Sequence, residues 1–175
     1  MYNLDNIREL ISEKEVAKKV SELGAKITED YKGKEIILIG VLKGAFIFLS
    51  DLARAIDLSC QIDFMQAQSY SGVTSTGIVN ITKDIEIDIK GKDVIVVEDI
   101  LDTGRTLFAI CETLRAKEAS SVRVCAFLDK PSRRVVDIKA DYSCYEIPDN
   151  FVVGYGLDYD EKYRNLPYIG LVEQN

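Results

Sequence analysis

Histidine is missing from the sequence altogether, and that gap removes more chemistry than any other. Ser-His-Asp and Cys-His nucleophile systems and His-ligated metal sites all need an imidazole. Catalysis is left to carboxylates, lysines, backbone amides and a hard cation held through oxygen or water. Cysteine is scarce, with four residues and no CxxC pair. Cys60, Cys111, Cys125 and Cys144 sit among apolar neighbours, which reads as reduced, packed thiols and a cytoplasmic protein. No apolar run approaches the ~20 residues of a membrane span. The opening "MYNLDNIREL" lacks the basic-then-apolar build of a secretory signal. Positive charge is in deficit, with 22 Lys and Arg against 29 Asp and Glu, a net −7. That balance argues against holding nucleic acid by general attraction. Linkers, internal repeats and low-complexity segments are absent, so the 175 residues read as one domain with a real core.

What is present alternates between helix and buried strand. Ser12 and Glu15 form the pattern of a capping box, and Val16, Val20, Leu23, Ile27 and Tyr31 follow at helical spacing. "EIILIGVL" is an apolar run of strand length, followed by Lys43-Gly44 and a helix in which Phe46, Leu49, Ala53 and Ile56 share a face. "CQIDFMQAQSY" alternates as a strand, and "IVNITKDIEIDIK" alternates as a half-exposed one. Residues 61–90 therefore predict a hairpin with a small, polar tip. "DVIVVED" repeats the buried-strand pattern and leads into a helix from about Gly104 to Ala116. "VRVCAFLDK", "DYSCYEIP" and "FVVGYGLDY" are further strands. Buried strands interleaved with helices predict an α/β fold with a mainly parallel central sheet flanked by helices. Ligands in such sheets collect beyond the carboxyl ends of the strands.

The stretch "VIVVEDILDTGRTLFAI", residues 94–110, puts Glu98 and Asp99 where a buried strand meets solvent, then turns at Asp102 into a helix. A turn needs one Asp or Asn to bond its own backbone; three carboxylates in five residues ask for more. The first amides of the helix lack internal partners, and with the helix dipole and two hydroxyls they suit a phosphate. The neighbouring acids would repel a bare phosphate. A ligand with a phosphate at one end and hydroxyls at the other resolves the conflict, so the residues point to a sugar phosphate. The bland alternative is a helix capped by Asp102 or Thr103 beside two solvated acids. A GxxxxGK[ST] loop is absent, and "GYGLDY" has Tyr159 where a GxGxxG turn needs its third glycine.

"VVEDILDTGRTL" resembles the phosphoribosyl-pyrophosphate motif of the type I phosphoribosyltransferases. "LKGA", "SYSG", "LDK" and "FVVGYGLDYDEKYRNLPYIG" resemble the members of that family that act on 6-oxopurines. The resemblance implies the family's fold with a small hood and a flexible hairpin loop. It implies Mg²⁺-dependent transfer of 5-phosphoribosyl from phosphoribosyl pyrophosphate to hypoxanthine or guanine, with preference among those and xanthine left open. Residues 102–106 (Asp102, Thr103, Gly104, Arg105, Thr106) would hold the 5-phosphate. Glu98 and Asp99 would take the ribose hydroxyls and, with Asp158, help place magnesium. Lys43, Gly44 and Arg164 would receive pyrophosphate. The family's loop at Lys43 usually carries a cis peptide. Lys130 would donate to the purine's exocyclic oxygen, Phe151 would stack on its ring, and the backbone at Val152 and Asp158 would read its edge. Asp102 would be the general base. Ser69 and Tyr70 would open a closing loop over residues 69–77. Partners would be small molecules, with no nucleic acid and no membrane, in a homodimer or homotetramer. Read without the family, Lys43 is equally a solvated turn lysine and Phe151 a core residue.

Overall fold

A computed structural model of the chain describes residues 2–69 and 79–174. Its elements run β1 (Tyr2–Ile11), α1 (Glu13–Asp30), β2 (Ile36–Leu42), α2 (Phe46–Ala55), β3 (Cys60–Ser69) and β4 (Val79–Lys83), then β5 (Asp93–Leu101), α3 (Arg105–Ala116) and β6 (Ser121–Asp129). A single 3-10 turn at Pro131–Arg133 precedes β7 (Tyr142–Glu146), β8 (Val152–Val153) and β9 (Ile169–Gln174). The central sheet has the order β4-β3-β2-β5-β6-β7. Its strands β3, β2, β5, β6 and β7 are parallel, and β4 runs antiparallel at the edge. A smaller antiparallel sheet, β1-β9-β8, forms a hood.

The apolar runs are continuous because both faces of the central sheet are covered. Along β2, Ile36 and Leu38 pack with Ile95 and Val97 of β5 against α1 and α2. The intervening Ile37, Ile39 and Val41 join Val94 and Val96 on the opposite face, against Leu107, Ile110 and Leu114 of α3. Helix α1 begins as its sequence dictates. The Ser12 amide donates to Glu15 Oε2 at 2.8 Å, and the Glu15 amide donates to Ser12 Oγ at 3.3 Å.

Three local expectations need correction. In α2 the buried face is Phe48, Leu49 and Leu52, whereas Phe46 is 45% exposed. The expected hairpin arm ends at Lys83 rather than near residue 90. Beyond it, the Glu86 and Ile87 amides donate to the Asp63 carboxylate at 2.6 and 3.2 Å instead of to a strand. Ile85, Ile87 and Ile89 still turn inward, so the alternation reports burial without a ladder. Finally, the hood takes β1 and β9 from segments with no legible strand pattern, and only Val152–Val153 of "FVVGYGLDY" is strand. Register shifts between Tyr2 and Ile7 and between Glu9 and Ile11 interrupt the period of two in β1. Of the expected closing loop, Ser69 ends β3, and residues 70–77 lie outside the described residues.

Candidate active site

The parallel strands β2, β5 and β6 end on the same side, at Leu42, Leu101 and Asp129. A cavity of about 310 Å³ opens there, lined by Gly44, Glu98, Asp99, residues 101–104, Thr106, Asp158 and Arg164. The geometry thus brings together most of the residues picked from the acidic stretch. The Arg105 side chain is exposed and does not line the cavity; only its backbone can serve a ligand there.

Glu98 and Asp99 lie within β5, directly after its fully buried residues 94–97. Burial pushes the Glu98 carboxyl well above its ordinary range, and the charge of Asp99 adds to the effect. Burial also raises Asp99, although bonds from Glu98 and the Ile100 amide and the charge of Arg164 oppose the rise. The two half-buried side chains disfavour carrying two charges side by side, and a hydroxyl donor or a cation in the cavity would relieve that. Gly44 sits against them. A methyl group on it would collide with the Asp99 carboxylate, and one on Gly156 would strike the Gly44 carbonyl. The preceding Leu42–Lys43 peptide is cis, as the family resemblance implies.

At the start of α3, Gly104 takes φ +84°, a left-handed turn, and Thr103, Gly104, Thr106 and Leu107 of this helix start line the cavity. This turn is braced by a segment the sequence reading passed over. Arg134 donates Nη1 to the Leu101 carbonyl at 2.9 Å and also to the Asp102 carbonyl, while Nη2 pairs with Asp129. The Val135 amide donates to the Thr103 carbonyl at 3.1 Å. Arg133 Nε donates to Asp102 Oδ1 at 2.8 Å, and its Nη1 donates to Asp149 Oδ2 at 3.2 Å. Paired arginines directly after "LDKPS" were the available sequence signal, but nothing local tells a bracing arginine from a solvated one.

The loop from Gly154 to Arg164, leading from β8 toward β9, closes the far side. Arg164 donates Nη1 to the Gly156 carbonyl at 2.8 Å, and its Nη2 lies 2.9 Å from Asp158 Oδ1. Its buried Nε has no hydrogen-bond partner among the described residues. Lys43 is exposed and pairs with Glu161 at 2.9 Å, so it flanks the cavity without lining it. Glu161, held by both Lys43 and Arg164, was not anticipated.

Lys130 is only 7% exposed at the end of β6 and donates Nζ to the Asn150 carbonyl at 2.6 Å. The Phe151 ring meets Tyr159 edge-on, with centroids 5.5 Å apart. Neither lines this cavity, and the Val152 side chain is core. Lys130 is nevertheless tied to it, because Asp149 lies 3.7 Å from Lys130 Nζ and bonds the same Arg133 that holds Asp102.

The sequence profile of the phosphoribosyl transferase domain matches residues 6–160. The hypoxanthine-guanine phosphoribosyltransferases of Streptococcus thermophilus and Bacillus subtilis are each 49% identical to the chain, over 99% of it and 97% of their own lengths. Among solved structures, a hypoxanthine phosphoribosyltransferase of Staphylococcus aureus gives a TM-score of 0.91 at 50% identity, covering 95% of this chain and 91% of that one. A hypoxanthine-guanine phosphoribosyltransferase of Bacillus anthracis, with a HEPES molecule in its active site, gives 0.92 at 48% identity over 96% and 100%.

Proposed function

The chain belongs to the phosphoribosyl transferase family, and we propose that it is an enzyme of purine salvage within it. The reaction moves the 5-phosphoribosyl group from phosphoribosyl pyrophosphate to hypoxanthine or guanine, giving IMP or GMP and pyrophosphate. One observation carries this reading: a single cavity sets the Glu98–Asp99 pair against the amide-rich start of α3 and the half-buried Arg164. Those are complementary to a phosphorylated pentose with an anionic leaving group.

In this reading the amides from Asp102 to Thr106 and the hydroxyls of Thr103 and Thr106 hold the 5-phosphate, where the helix dipole favours negative charge. Glu98 and Asp99 accept hydrogen bonds from the ribose hydroxyls. Arg164, with its unpartnered Nε, receives pyrophosphate together with Lys43 and the Gly44 amide. Bond breaking at the anomeric carbon develops positive charge on the ribose, which the nearby carboxylates stabilise. Lys130 gives its remaining hydrogens to the purine's exocyclic oxygen, Phe151 stacks on the ring, and the backbone at Val152 and Asp158 reads the edge. Asp102 accepts the proton from the attacking purine as general base.

Magnesium fits the donors present. The described residues contain no cluster of three or more metal-ligating side chains, which disfavours an all-protein cage. Mg²⁺ binds through one or two carboxylates plus substrate phosphates and water, and Glu98, Asp99 and Asp158 supply such carboxylates. When bound it neutralises pyrophosphate charge. The same reading makes the assembly a homodimer or homotetramer and the location cytoplasmic.

The test is release of pyrophosphate from phosphoribosyl pyrophosphate with each of hypoxanthine, guanine, xanthine and adenine, with and without Mg²⁺. Hypoxanthine or guanine should support release only with the metal, and adenine should not. Release with adenine alone, or with no purine, would reject the assignment.

A further inference from the structure

The turn at Pro131–Arg133 contacts no substrate in the reading above, yet its last side chain is fastened to two of the site's loops at once. Arg133 Nε is 2.8 Å from Asp102 Oδ1, and Nη1 is 3.2 Å from Asp149 Oδ2. Asp149 is itself within 3.7 Å of Lys130 Nζ. The other Asp102 oxygen, Oδ2, accepts no protein hydrogen bond among the described residues.

We propose that Arg133 is a positioning residue for the transfer: it fixes the Asp102 carboxylate by one oxygen, leaves the other free to take the purine proton, and holds it in register with Lys130. The inference rests on the reading of Asp102 as general base. An aspartate on a loop turns freely about two side-chain bonds, and a base works only in a narrow range of approach. A guanidinium removes that freedom because its donors form a rigid planar fork, so one side chain can span two carboxylates at a set separation. The neighbouring Arg134 immobilises the backbone of the same turn through the Leu101 and Asp102 carbonyls. Between them the two arginines fix Asp102 from its main chain to its carboxylate. The purine contacts Lys130 on one side and the base on the other, and the Asp149–Arg133 bridge sets the spacing between them.

This role is separable from holding the fold together. The Arg133, Asp102 and Asp149 side chains are 44, 38 and 53% exposed. Exposed pairs of this kind contribute little to global stability, so deleting the arginine should leave the melting temperature near that of the parent. Its effect should fall on the chemical step.

The experiment measures single-turnover phosphoribosyl transfer, substrate KM and melting temperature for R133A, R133M, D102N and R133A/D102N. Arg133→Met keeps the aliphatic stem and serves if Arg133→Ala is poorly folded. Either Arg133 variant should slow the chemical step by about 10- to 100-fold, the range of a small misplacement of a catalytic group, with KM and melting temperature little changed. Asp102→Asn should slow it by roughly 10²–10⁴-fold. The double variant should be no slower than D102N, because residues that act as one unit are non-additive. Parental rates in both Arg133 variants, a loss that multiplies fully in the double variant, or a loss that tracks lowered melting temperature would each overturn the proposal. A parental rate in D102N would instead remove the base assignment, and it is read independently of any Arg133 variant.

Discussion

At Gly44 the missing side chain is what lets Asp99 occupy its place, since a Cβ there would overlap the carboxylate. Gly44→Ala must therefore displace either the loop or Asp99. We expect a loss of about 1–3 kcal/mol in unfolding free energy, the usual cost of overpacking. A rise in KM for phosphoribosyl pyrophosphate should accompany it, and calorimetry with steady-state kinetics would show both. Lys130 belongs to the same scale. It is nearly buried, so a base that offers a donor instead of an acceptor leaves its charge poorly satisfied. Adenine should consequently react at least about 10³-fold less efficiently than hypoxanthine, and Lys130→Met should narrow that ratio, mainly by losing hypoxanthine activity. An unchanged ratio of kcat/KM in the variant would exclude Lys130 from reading the base. That Glu98, Asp99, Asp102, Thr103, Gly104 and Thr106 share one cavity was legible because they lie close together in the chain. Arg133 and Asp149 were not, because their partners lie 31 and 16 residues away along it.

Elements tell a similar story about what patterns can carry. Alternation in residues 85–89 located the inward side chains but not the hydrogen bonding, because the backbone's partner is the distant carboxylate of Asp63. That carboxylate also accepts from the Phe64 amide at 2.7 Å and lies 3.6 Å from Lys83. Burial by itself would raise its pKa, but the backbone donors and Lys83 outweigh burial and hold it below the ordinary 3.8. The native state then resists protonation that the unfolded chain accepts, so stability falls as the medium is acidified. The contribution is whole above 3.8 and disappears as pH drops through the lower native value. Asp63→Asn presents amide hydrogens to backbone donors and should cost about 1–3 kcal/mol near neutrality. Urea denaturation should show this deficit at neutral pH and a smaller one below pH 3.8. A deficit that stays constant with pH would mean that packing, not charge, is what the substitution removes. By contrast, the capping box of α1 and the doubly buried runs of β2 and β5 were read correctly, since each depends only on local bonds or on burial of both faces.

For the molecule as a whole, the strand order β4-β3-β2-β5-β6-β7 and the pairing of β1 with β9 join segments far apart in the chain, which residue patterns alone do not specify. The consequence is a site shared by two sheets. Glu98, Asp99 and the start of α3 come from the central sheet, whereas Asp158 and Arg164 come from the loop that joins the hood strands β8 and β9. A net charge of −7 would repel an anionic nucleotide, yet Lys43, Lys130, Arg133, Arg134 and Arg164 are gathered at this one end. Each of these cations is paired with an acid at the same end, so in the proposed function the ligand's negative charge is met by the amides at the start of α3 and by Mg²⁺ rather than by a positive field. A nucleotide that spans both sheets must stabilise them together, because binding to the folded state alone adds RT ln(1 + [L]/Kd). With Mg²⁺ and IMP or GMP at 100-fold over Kd, unfolding should become harder by about 2.7 kcal/mol, seen as a higher melting temperature. Asp102→Asn should keep that shift if, as proposed, Asp102 acts in proton transfer and the backbone amides hold the phosphate. Asp99→Asn should shrink it if, as proposed, Asp99 takes ribose hydroxyls and helps place the cation. If Asp102→Asn lost the shift while Asp99→Asn kept it, binding and chemistry would have to be reassigned between these two carboxylates.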